Sequence, residues 1–336
     1  MRLSAFIFLM IFIVSCRNGN NAPDVSNIKI NLSTQRFDKD LFSIDTLQMD
    51  ASMKKIATDY PVFAPLFFQK IINVDPAMSK DSIGAYVRSF IRAYKPVYDT
   101  AQKVFGNFSK YESEIKKGLQ YVKYYFPDYA VPQKVYTFVG PLDGFGDVLV
   151  QDGIAIGLQH HIDSNYSLYK EGWLMQTYPE YVSKNFIPQT VAVFAMKNIV
   201  QDLYPDKSEE RSLLVRMVET GKRLYLLERF QPDAEKQLLI GYTKKQWEEC
   251  IAHERVIWDF FVQNNFLQTI DISIIKDYIG ESPKTQALGE SAPGNIGAFA
   301  GWRIVKKFME KHPDMKMKTL MEYHAEELYT EAKYKP

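Results

Sequence analysis

A short apolar leader that ends at a cysteine restricts how the rest of the chain can fold. Arg2 gives a positive start, Ser4 to Val14 form an apolar run, and Cys16 is followed at once by polar residues. This order is typical of an export signal. The run is too short to cross a bilayer core, which needs about 20 apolar residues, and no later segment comes close to that length. We therefore predict a signal peptide over residues 1–15 and a body that folds in water.

Cys16 is the candidate site of lipid attachment. The ending Val14-Ser15-Cys16 resembles the bacterial lipoprotein signal, in which the leader is cut before the cysteine and the thiol carries a diacylglycerol. The only other cysteine is Cys250, so an acylated Cys16 leaves no pair for a disulfide. Several acyl chains bind a membrane stably, because each buried methylene contributes about 0.8 kcal/mol. The alternatives are a plain secretory signal and an uncleaved membrane anchor.

The balance of charges argues against a nucleic-acid partner. The 336 residues include 41 Lys and Arg against 40 Asp and Glu, and removal of the leader takes away Arg2. A chain of almost no net charge offers phosphates no general electrostatic attraction. A hydrophobic fraction of 46% excludes disorder along the whole length. We expect a folded globular body without a DNA or RNA ligand.

Composition predicts a tether followed by one domain. Residues 16–33 carry Asn, Gly, Pro and Ser with few large apolar side chains, which is typical of a flexible linker. Residues 34–336 show no internal linker and no repeat of fixed period. We therefore predict a single domain over residues 34–336, attached to the lipid through residues 16–33.

The spacing of apolar residues predicts a mainly helical α+β fold. Residues 46–129 have apolar side chains at helical intervals, with breaks expected at Pro61 and Pro96. Between residues 131 and 162, β-branched and aromatic runs with two Gly-containing turns predict a small antiparallel sheet. Further helices are predicted over residues 189–204, 208–230, 244–264 and 296–310. Helices around one short sheet are typical of the α+β class.

No common catalytic motif is complete. A nucleophile elbow, a P-loop and a dinucleotide-binding glycine motif are all absent from the sequence. His253-Glu254 begins the H-E-x-x-H pattern of zinc proteases, but Ile257 stands where the second histidine is needed. His160 and His161 follow a predicted strand, and because adjacent residues of extended chain point to opposite faces, we expect one to face inward and the other to face water. We predict no metal site and no cofactor.

Two glutamates are predicted to face the core. Glu228 lies on the apolar face of its helix, and Glu254 lies in the middle of an apolar stripe. Thr243 and Gln246 have capping-box spacing at the start of the second helix. A buried carboxylate costs free energy unless it is paired or protonated, so each glutamate is either a structural ion pair or a pocket group. The stripe around Glu254 is formed by Trp247, Cys250, Ile251, Trp258 and Phe261.

The last predicted helix supplies two further candidates. Gly297 and Gly301 are four residues apart, which bares one face of the helix and permits close approach of another element. Trp302 and Arg303 follow at once and are candidates for a pocket at this helix. The alternative for Arg303 is a side chain in solvent.

Several segments in this order together resemble the gliding-motility lipoproteins called GldB of Bacteroidota bacteria. The resemblance spans nearly the whole chain, and the order and spacing of the segments carry it. They are Arg36-Phe37-Asp38-Lys39-Asp40-Leu41-Phe42, Tyr60-Pro61 with Phe63, Val135-Tyr136-Thr137-Phe138, Gly221-Lys222-Arg223-Leu224-Tyr225, Ile240-Gly241-Tyr242-Thr243, Trp247 with Glu254 and Ile257-Trp258, Pro293-Gly294-Asn295-Ile296-Gly297 and Gly301-Trp302-Arg303-Ile304-Val305.

The resemblance implies an envelope lipoprotein associated with gliding and with the type IX secretion apparatus that gliding uses. The family is also distantly similar to zinc peptidases, which implies a zincin-like fold. This chain lacks their metal-binding helix, since residues 189–204 hold Met196, Lys197 and Asn198 but no histidine. The leading hypothesis is therefore a non-enzymatic component that acts by binding envelope proteins. The alternative is a metal-dependent periplasmic hydrolase that assembles some of His160, His161, Glu219, Glu228, Glu254 and Glu290.

The residues after Cys16 indicate which side of the envelope the protein faces. Arg17 to Asn20 contain no acidic cluster, and this resembles a lipoprotein that faces the periplasm rather than one exported to the surface. We expect a membrane-anchored protein in the periplasm, at the outer membrane in preference to the inner one.

We expect Cys16→Ala to abolish lipid attachment, because the alanine has no thiol to acylate. Growth with radiolabelled palmitate should label the wild-type protein only, and the variant should accumulate as uncut precursor or as protein released from membranes. Label retained by Cys16→Ala would contradict the assignment of the anchor.

Overall fold

A computed structural model describes residues 22–336 of the chain. In this part, helices surround one four-stranded sheet, and the buried apolar side chains form one continuous core. The predicted α+β class with a mainly helical body is confirmed. No helix within residues 22–336 combines the length and the apolar character needed to cross a membrane.

The described elements fall into a part that contains the sheet and a part made of helices. The first comprises β1 (Ser33–Gln35), α1 (Phe37–Phe42), α2 (Met49–Asp59), α3 (Phe63–Leu66), α4 (Lys80–Phe105), α5 (Ser109–Tyr125), β2 (Lys134–Phe138), β3 (Val148–Val150) and β4 (Gly153–Gly157). The second comprises α6 (Gly172–Thr177), α7 (Glu180–Ser183), α8 (Val191–Leu203), α9 (Leu213–Phe230), α10 (Lys236–Ile240), α11 (Lys244–Ala252), α12 (Glu254–Gln263), α13 (Ile272–Ile275), α14 (Ile296–Lys311), α15 (Met317–Glu322) and α16 (Ala325–Ala332).

The sheet is mixed, so the prediction of an antiparallel sheet is wrong for two of its three strand pairs. The strand order is β1-β2-β4-β3, in which β1 with β2 and β2 with β4 run parallel. The turn before Gly153 forms the expected hairpin between β3 and β4, which are antiparallel. β2 and β4 are buried almost throughout, whereas the edge strand β3 is half-buried. Burial on both faces favours parallel pairing of such apolar strands at the centre of a sheet.

The predicted tether packs against the helices before the first strand begins. Val25 and Ile30 are buried, and the side-chain amide of Gln120 on α5 donates to the carbonyl oxygen of Ile28 at 2.8 Å. From Val25 onward, segment 16–33 is therefore attached to the body. Cys16 and the signal peptide over residues 1–15 lie outside the described residues.

A buried ion pair joins α1 to the sheet and to α4. Arg36 donates from Nε to Oδ1 of Asp38 at 2.9 Å and from Nη2 to Oδ2 at 2.7 Å. Oδ2 also accepts from the amide of Gln102 on α4 at 2.7 Å, and Oδ1 accepts from the hydroxyl of Thr137 on β2. Asp38 is fully buried. Its donors offset the free-energy cost of removing the carboxylate from water.

Three helices differ clearly from their predicted bounds. The helix predicted over residues 208–230 begins only at Leu213. α4 continues through Pro96, where a break was expected. Proline has no N–H to donate to the carbonyl of Arg92, but both residues are exposed, so water can bind this carbonyl instead. The helix predicted over residues 244–264 is split at His253 into α11 and α12. The capping box of Thr243 and Gln246 is confirmed. Ile251, expected on the apolar stripe, is 39% exposed; it follows the buried Cys250 on α11, and successive helical residues point about 100° apart.

α9 and α14 approach each other at a pair of glycines. A Cβ added to Gly221 would lie 2.3 Å from the carbonyl carbon and oxygen of Gly301. A Cβ added to Gly301 would lie 1.8 Å from the carbonyl oxygen of Met217. These distances are far inside van der Waals contact, so the two backbones can be this close only without side chains. The packing role predicted for Gly301 is the one that the structure shows.

We expect Gly301→Ala to lower the free energy of unfolding by about 3 kcal/mol or more, because the new methyl group overlaps backbone that cannot rotate away. Chemical denaturation of the purified domain measures this change. Gly172→Ala is the matched control: its Cβ meets nothing within 4 Å, and we expect a change within about 0.5 kcal/mol. A Gly301→Ala protein as stable as this control would contradict the close approach of α9 and α14.

Candidate functional site

The four candidate residues of the sequence come together at α14. Trp302 and Arg303 lie on this helix, Glu228 lies near the end of α9, and Glu254 begins α12. Successive residues of a helix point about 100° apart, so Trp302 and Arg303 face different neighbours. Each of them donates a hydrogen bond to one of the two glutamates.

Glu228 is a buried carboxylate with two hydrogen-bond donors and a second ion-pair partner. Its Oε2 accepts from the indole Nε1 of Trp302 at 3.1 Å, and its Oε1 accepts from Nζ of Lys306 at 3.0 Å. Lys236 on α10 adds a second ammonium group 3.3 Å from the same oxygen. Trp302 and Lys306 are four residues apart, so they lie on the same face of α14. Glu228 therefore joins α9, α10 and α14.

The charges around Glu228 keep its carboxylate ionised. Burial by itself raises the pKa of Glu228, but the positive charges of Lys306 and Lys236 outweigh burial, and the resulting pKa is lowered. The side chains of both lysines keep more than a quarter of their surface exposed. The carboxylate thus forms an ion pair at the edge of the core, and it does not have the raised pKa that a general acid at neutral pH needs.

Glu254 forms the second ion pair of α14. Its Oε1 accepts from Nε of Arg303 at 2.8 Å and from the hydroxyl of Tyr334 at 2.7 Å. Burial and the hydrogen bond to Glu254 raise the pKa of the Tyr334 hydroxyl, so this group is a donor at all physiological pH values. The ring of Tyr334 packs edge-on against Trp258 of α12 at 5.1 Å. Glu254 therefore links α12, α14 and the C-terminal residues.

A surface groove runs beside this second pair. We call it the α14 groove; it has a volume of about 390 Å³ and is lined by residues of α11, α12, α14 and the C-terminal segment. Arg303 donates only through Nε within the described chain, so its two terminal nitrogens have no protein acceptor. Basic side chains outnumber acidic ones in the lining, which consists of Ile251, Ala252, Glu254, Arg255, Arg303, Lys306, Lys307, Glu310, Tyr334, Lys335 and Pro336.

His160 and His161 are both buried, so the expectation that one of them faces water is wrong. They follow β4 in a short 3₁₀ turn and not in a strand, so the alternation between two faces does not apply. His160 donates from Nε2 to the carbonyl oxygen of Leu142 at 2.8 Å, and burial lowers the pKa of His160 to about 4. Nε2 of His161 lies 3.1 Å from both carboxylate oxygens of Asp147.

The other carboxylates of the hydrolase alternative are held elsewhere. Glu219 pairs with the buried Lys222 at 2.7 Å, and the exposed Glu290 pairs with Lys284 at 2.6 Å. Within residues 22–336, no three His, Cys, Asp or Glu side chains are grouped so that they hold a metal ion. The structure does not bring the six side chains named for that alternative into one site.

The sequence indicated the two glutamates that contact α14, but not all of their partners. Lys306 was detectable, because it lies four residues after Trp302 on the same helix. Lys236 and Tyr334 come from distant elements, and no local spacing connects them to the glutamates. Pairs of this kind depend on how α9, α10, α12 and the C-terminal residues pack, which periodicity does not report.

A protein-family model described as "Gliding motility protein GldB" matches residues 18–336. The match includes all four candidate residues and the partners described above. No curated protein and no solved structure matches the chain.

We expect Glu228→Ala to destabilise the fold more than Glu254→Ala. Loss of Glu228 leaves the buried indole N–H of Trp302 without an acceptor and two lysines without a counter-charge, at a cost of about 3 kcal/mol. The side chains of Glu254 and Arg303 are 13% and 30% exposed, so water replaces this contact more easily, and we expect about 1–2 kcal/mol.

Urea denaturation of Glu228→Ala and Glu254→Ala measures which variant is less stable. Glu248→Ala is the matched control, because its side chain is 63% exposed and lies 4.0 Å from its lysine partner; we expect it to change stability by no more than about 0.5 kcal/mol. The reverse order, with Glu254→Ala the less stable variant, would contradict the burial and pairing of Glu228.

Proposed function

The chain belongs to the GldB family of gliding motility lipoproteins, and we propose that it acts in the cell envelope by binding another protein, without catalysing a reaction. The observation that carries this proposal is the pairing of both glutamates at α14. Glu228 and Glu254 are each held by a basic side chain and a further donor. Carboxylates fixed in this way stabilise and shape a surface, whereas a catalytic carboxylate has to be free to exchange a proton.

The α14 groove is the surface that we assign to the protein partner. The Nε bond to Glu254 fixes the plane of the Arg303 guanidinium, and its two terminal nitrogens stay available for an acceptor on another molecule. Arginines held in this way are common anchors of protein interfaces, because little side-chain entropy is lost when they bind. The exposed side chain of Ile251 on α11 lines the groove and adds apolar area.

The anchoring and the location belong to the same proposal. The export leader over residues 1–15 and the ending at Cys16 support removal of the leader and attachment of lipid, including palmitate, to this cysteine. We infer that residues 34–336 fold as one domain that faces the periplasm, and that the outer membrane holds the anchor. The role in gliding extends to the type IX secretion apparatus, which supplies the partners in the envelope.

We expect Arg303→Gln to abolish gliding while the protein still accumulates. Glutamine removes the positive charge and the guanidinium nitrogens, and Tyr334 still donates to Glu254, so the cost in stability should be about 1 kcal/mol. The test is colony spreading by a strain that carries the variant as its only copy, together with immunoblots and co-isolation of envelope proteins from its membranes.

Arg211→Gln is the control for this test, because Arg211 is an exposed arginine paired with Glu326 away from the α14 groove. It should support normal spreading and bring down the same envelope proteins as the wild type. Normal spreading by an accumulated Arg303→Gln protein would contradict binding through the α14 groove. A wild-type protein that brings down no envelope protein would contradict the binding function as a whole.

A further inference from the structure

A second cavity system lies between α8 and α9, away from the α14 groove. Two neighbouring cavities of about 460 Å³ and about 190 Å³ share a set of lining residues. We call the combined space the α8–α9 cleft; the shared residues are Phe194, Lys197, Thr220, Leu224 and Glu281. Together the cavities are within the size range of pockets that bind small molecules or peptide side chains.

Lys197 is a partly buried cation without a counter-ion in this cleft. Its Nζ lies 5.0 Å from the centre of the Phe194 ring, and no hydrogen bond or ion pair joins it to any residue within 22–336. Burial lowers the pKa of Lys197, and the charge of Glu281 opposes this effect without forming an ion pair. A cation withdrawn from water in this way costs free energy unless something pairs with it.

Two other lysines of the fold have partners for their ammonium groups, whereas Lys197 has none among the described residues. Arg229 resembles Lys197 in this respect, because its guanidinium packs on the Tyr225 ring at 4.6 Å and its buried Nε has no hydrogen-bond partner in the described part of the chain. Lys222 is almost fully buried, and its Nζ donates to the carbonyl oxygens of Met321 and Tyr323 and pairs with Glu219. Lys306 pairs with Glu228. At these two positions the fold supplies acceptors for the ammonium group.

Further polar groups line the same cleft. Ser282 lines the smaller cavity, and its hydroxyl oxygen is buried without a hydrogen-bond partner within residues 22–336. Lys184 lines it as well; its Nζ donates to the side-chain oxygen of Gln246 at 3.1 Å, and burial lowers its pKa. The cleft is thus lined by two ammonium groups, by the guanidinium of Arg223, which pairs with Asp206, and by the apolar side chains of Phe194 and Leu224.

We propose that the α8–α9 cleft binds the carboxylate of a peptide, with Lys197 as its ion-pair partner. This inference rests on the proposed function, since it names the chemistry of a segment that a binding partner inserts. An acidic side chain and a free C-terminus both present this carboxylate. The apolar walls suit the methylene groups next to a carboxylate, and the ammonium group of Lys197, which has no counter-ion in the described chain, matches its single charge.

The acidic groups of the cleft disfavour a phosphorylated ligand. Asp147 and Glu281 line the larger cavity, and a phosphate group, which carries about −1.5 to −2 charges, would be repelled by them more strongly than a carboxylate. The carboxylate of Asp147 is held by His161 and by the backbone N–H of Gly157. It therefore does not move to neutralise Lys197.

The test measures binding of dye-labelled pentapeptides to the purified domain by fluorescence anisotropy. One peptide has a central glutamate between alanines with both ends capped, a second has glutamine in its place, and a third has only alanines but a free C-terminus. We expect the glutamine peptide to bind at least about 10-fold more weakly than the better of the two carboxylate peptides. The stronger carboxylate peptide identifies whether the source is a side chain or a C-terminus.

Variants of Lys197 test its role directly. Lys197→Met should weaken carboxylate binding at least about 10-fold, and Lys197→Arg should keep it within about threefold. Lys276→Met is the control, because it removes one exposed positive charge outside the cleft. Lys197→Met should also unfold at a higher temperature than the wild type, since methionine removes an unpaired charge from the cleft.

Equal binding of the glutamate and glutamine peptides, with no binding of the free C-terminus, would overturn the inference, and so would unchanged affinity in Lys197→Met. These results leave the proposed function in place, because that function is tested by Arg303 in the other groove. If Arg303→Gln abolishes gliding while peptide binding does not depend on Lys197, the proposed function stands and the inference about the α8–α9 cleft fails.

Discussion

The contact between α9 and α14 at Gly221 and Gly301 determines how the charged residues of the candidate site are arranged. Because neither glycine has a side chain, the two backbones approach each other closely. At this separation, Trp302 and Lys306 reach Glu228 on α9, while Arg303, one residue further round α14, faces α12 and reaches Glu254. A Cβ at either glycine would overlap the facing backbone, and we expect the resulting shift to disturb these hydrogen bonds.

The fold treats its buried charges in two ways. At α14 and around Asp38, every buried carboxylate has several donors, and these pairs connect helices that are distant in sequence. In the α8–α9 cleft, Lys197 has only the face of an aromatic ring. The first arrangement fixes the shape of a surface at little free-energy cost. The second leaves a charge that another molecule can neutralise. Lys197 therefore indicates a binding site more directly than the paired carboxylates do.

Sequence patterns predicted the elements that local interactions determine. The capping box of Thr243 and Gln246 and the end of α9 before Pro232 depend on neighbours in the chain, and both occur where expected. The pairing of β2 with β4 was missed because two parallel strands are joined by contacts that no local turn encodes. The break at His253 was missed for a related reason, since the residues on both sides of it favour a helix.

The sequence indicated the four candidate residues, but not which of them contact one another. Glu228, Glu254, Trp302 and Arg303 were identified from helical projection and from the bare face of α14. Which glutamate meets which donor depends on the crossing of α9, α12 and α14, and this crossing is a tertiary property. Lys197 had no signal beyond its place on a helix without histidine, because the missing counter-ion is visible only when all neighbouring elements are in position.

The most direct test of the account is the function of Glu254→Gln in gliding cells. Glutamine has nearly the same shape, and its side-chain oxygen accepts from Nε of Arg303 and from Tyr334 as the carboxylate does. If Glu254 positions Arg303 for binding, a strain with Glu254→Gln as its only copy should spread almost normally and contain wild-type amounts of the protein. A stable, abundant Glu254→Gln protein that supports no spreading would show that the ionised carboxylate itself is required, and it would contradict a purely structural role for this pair.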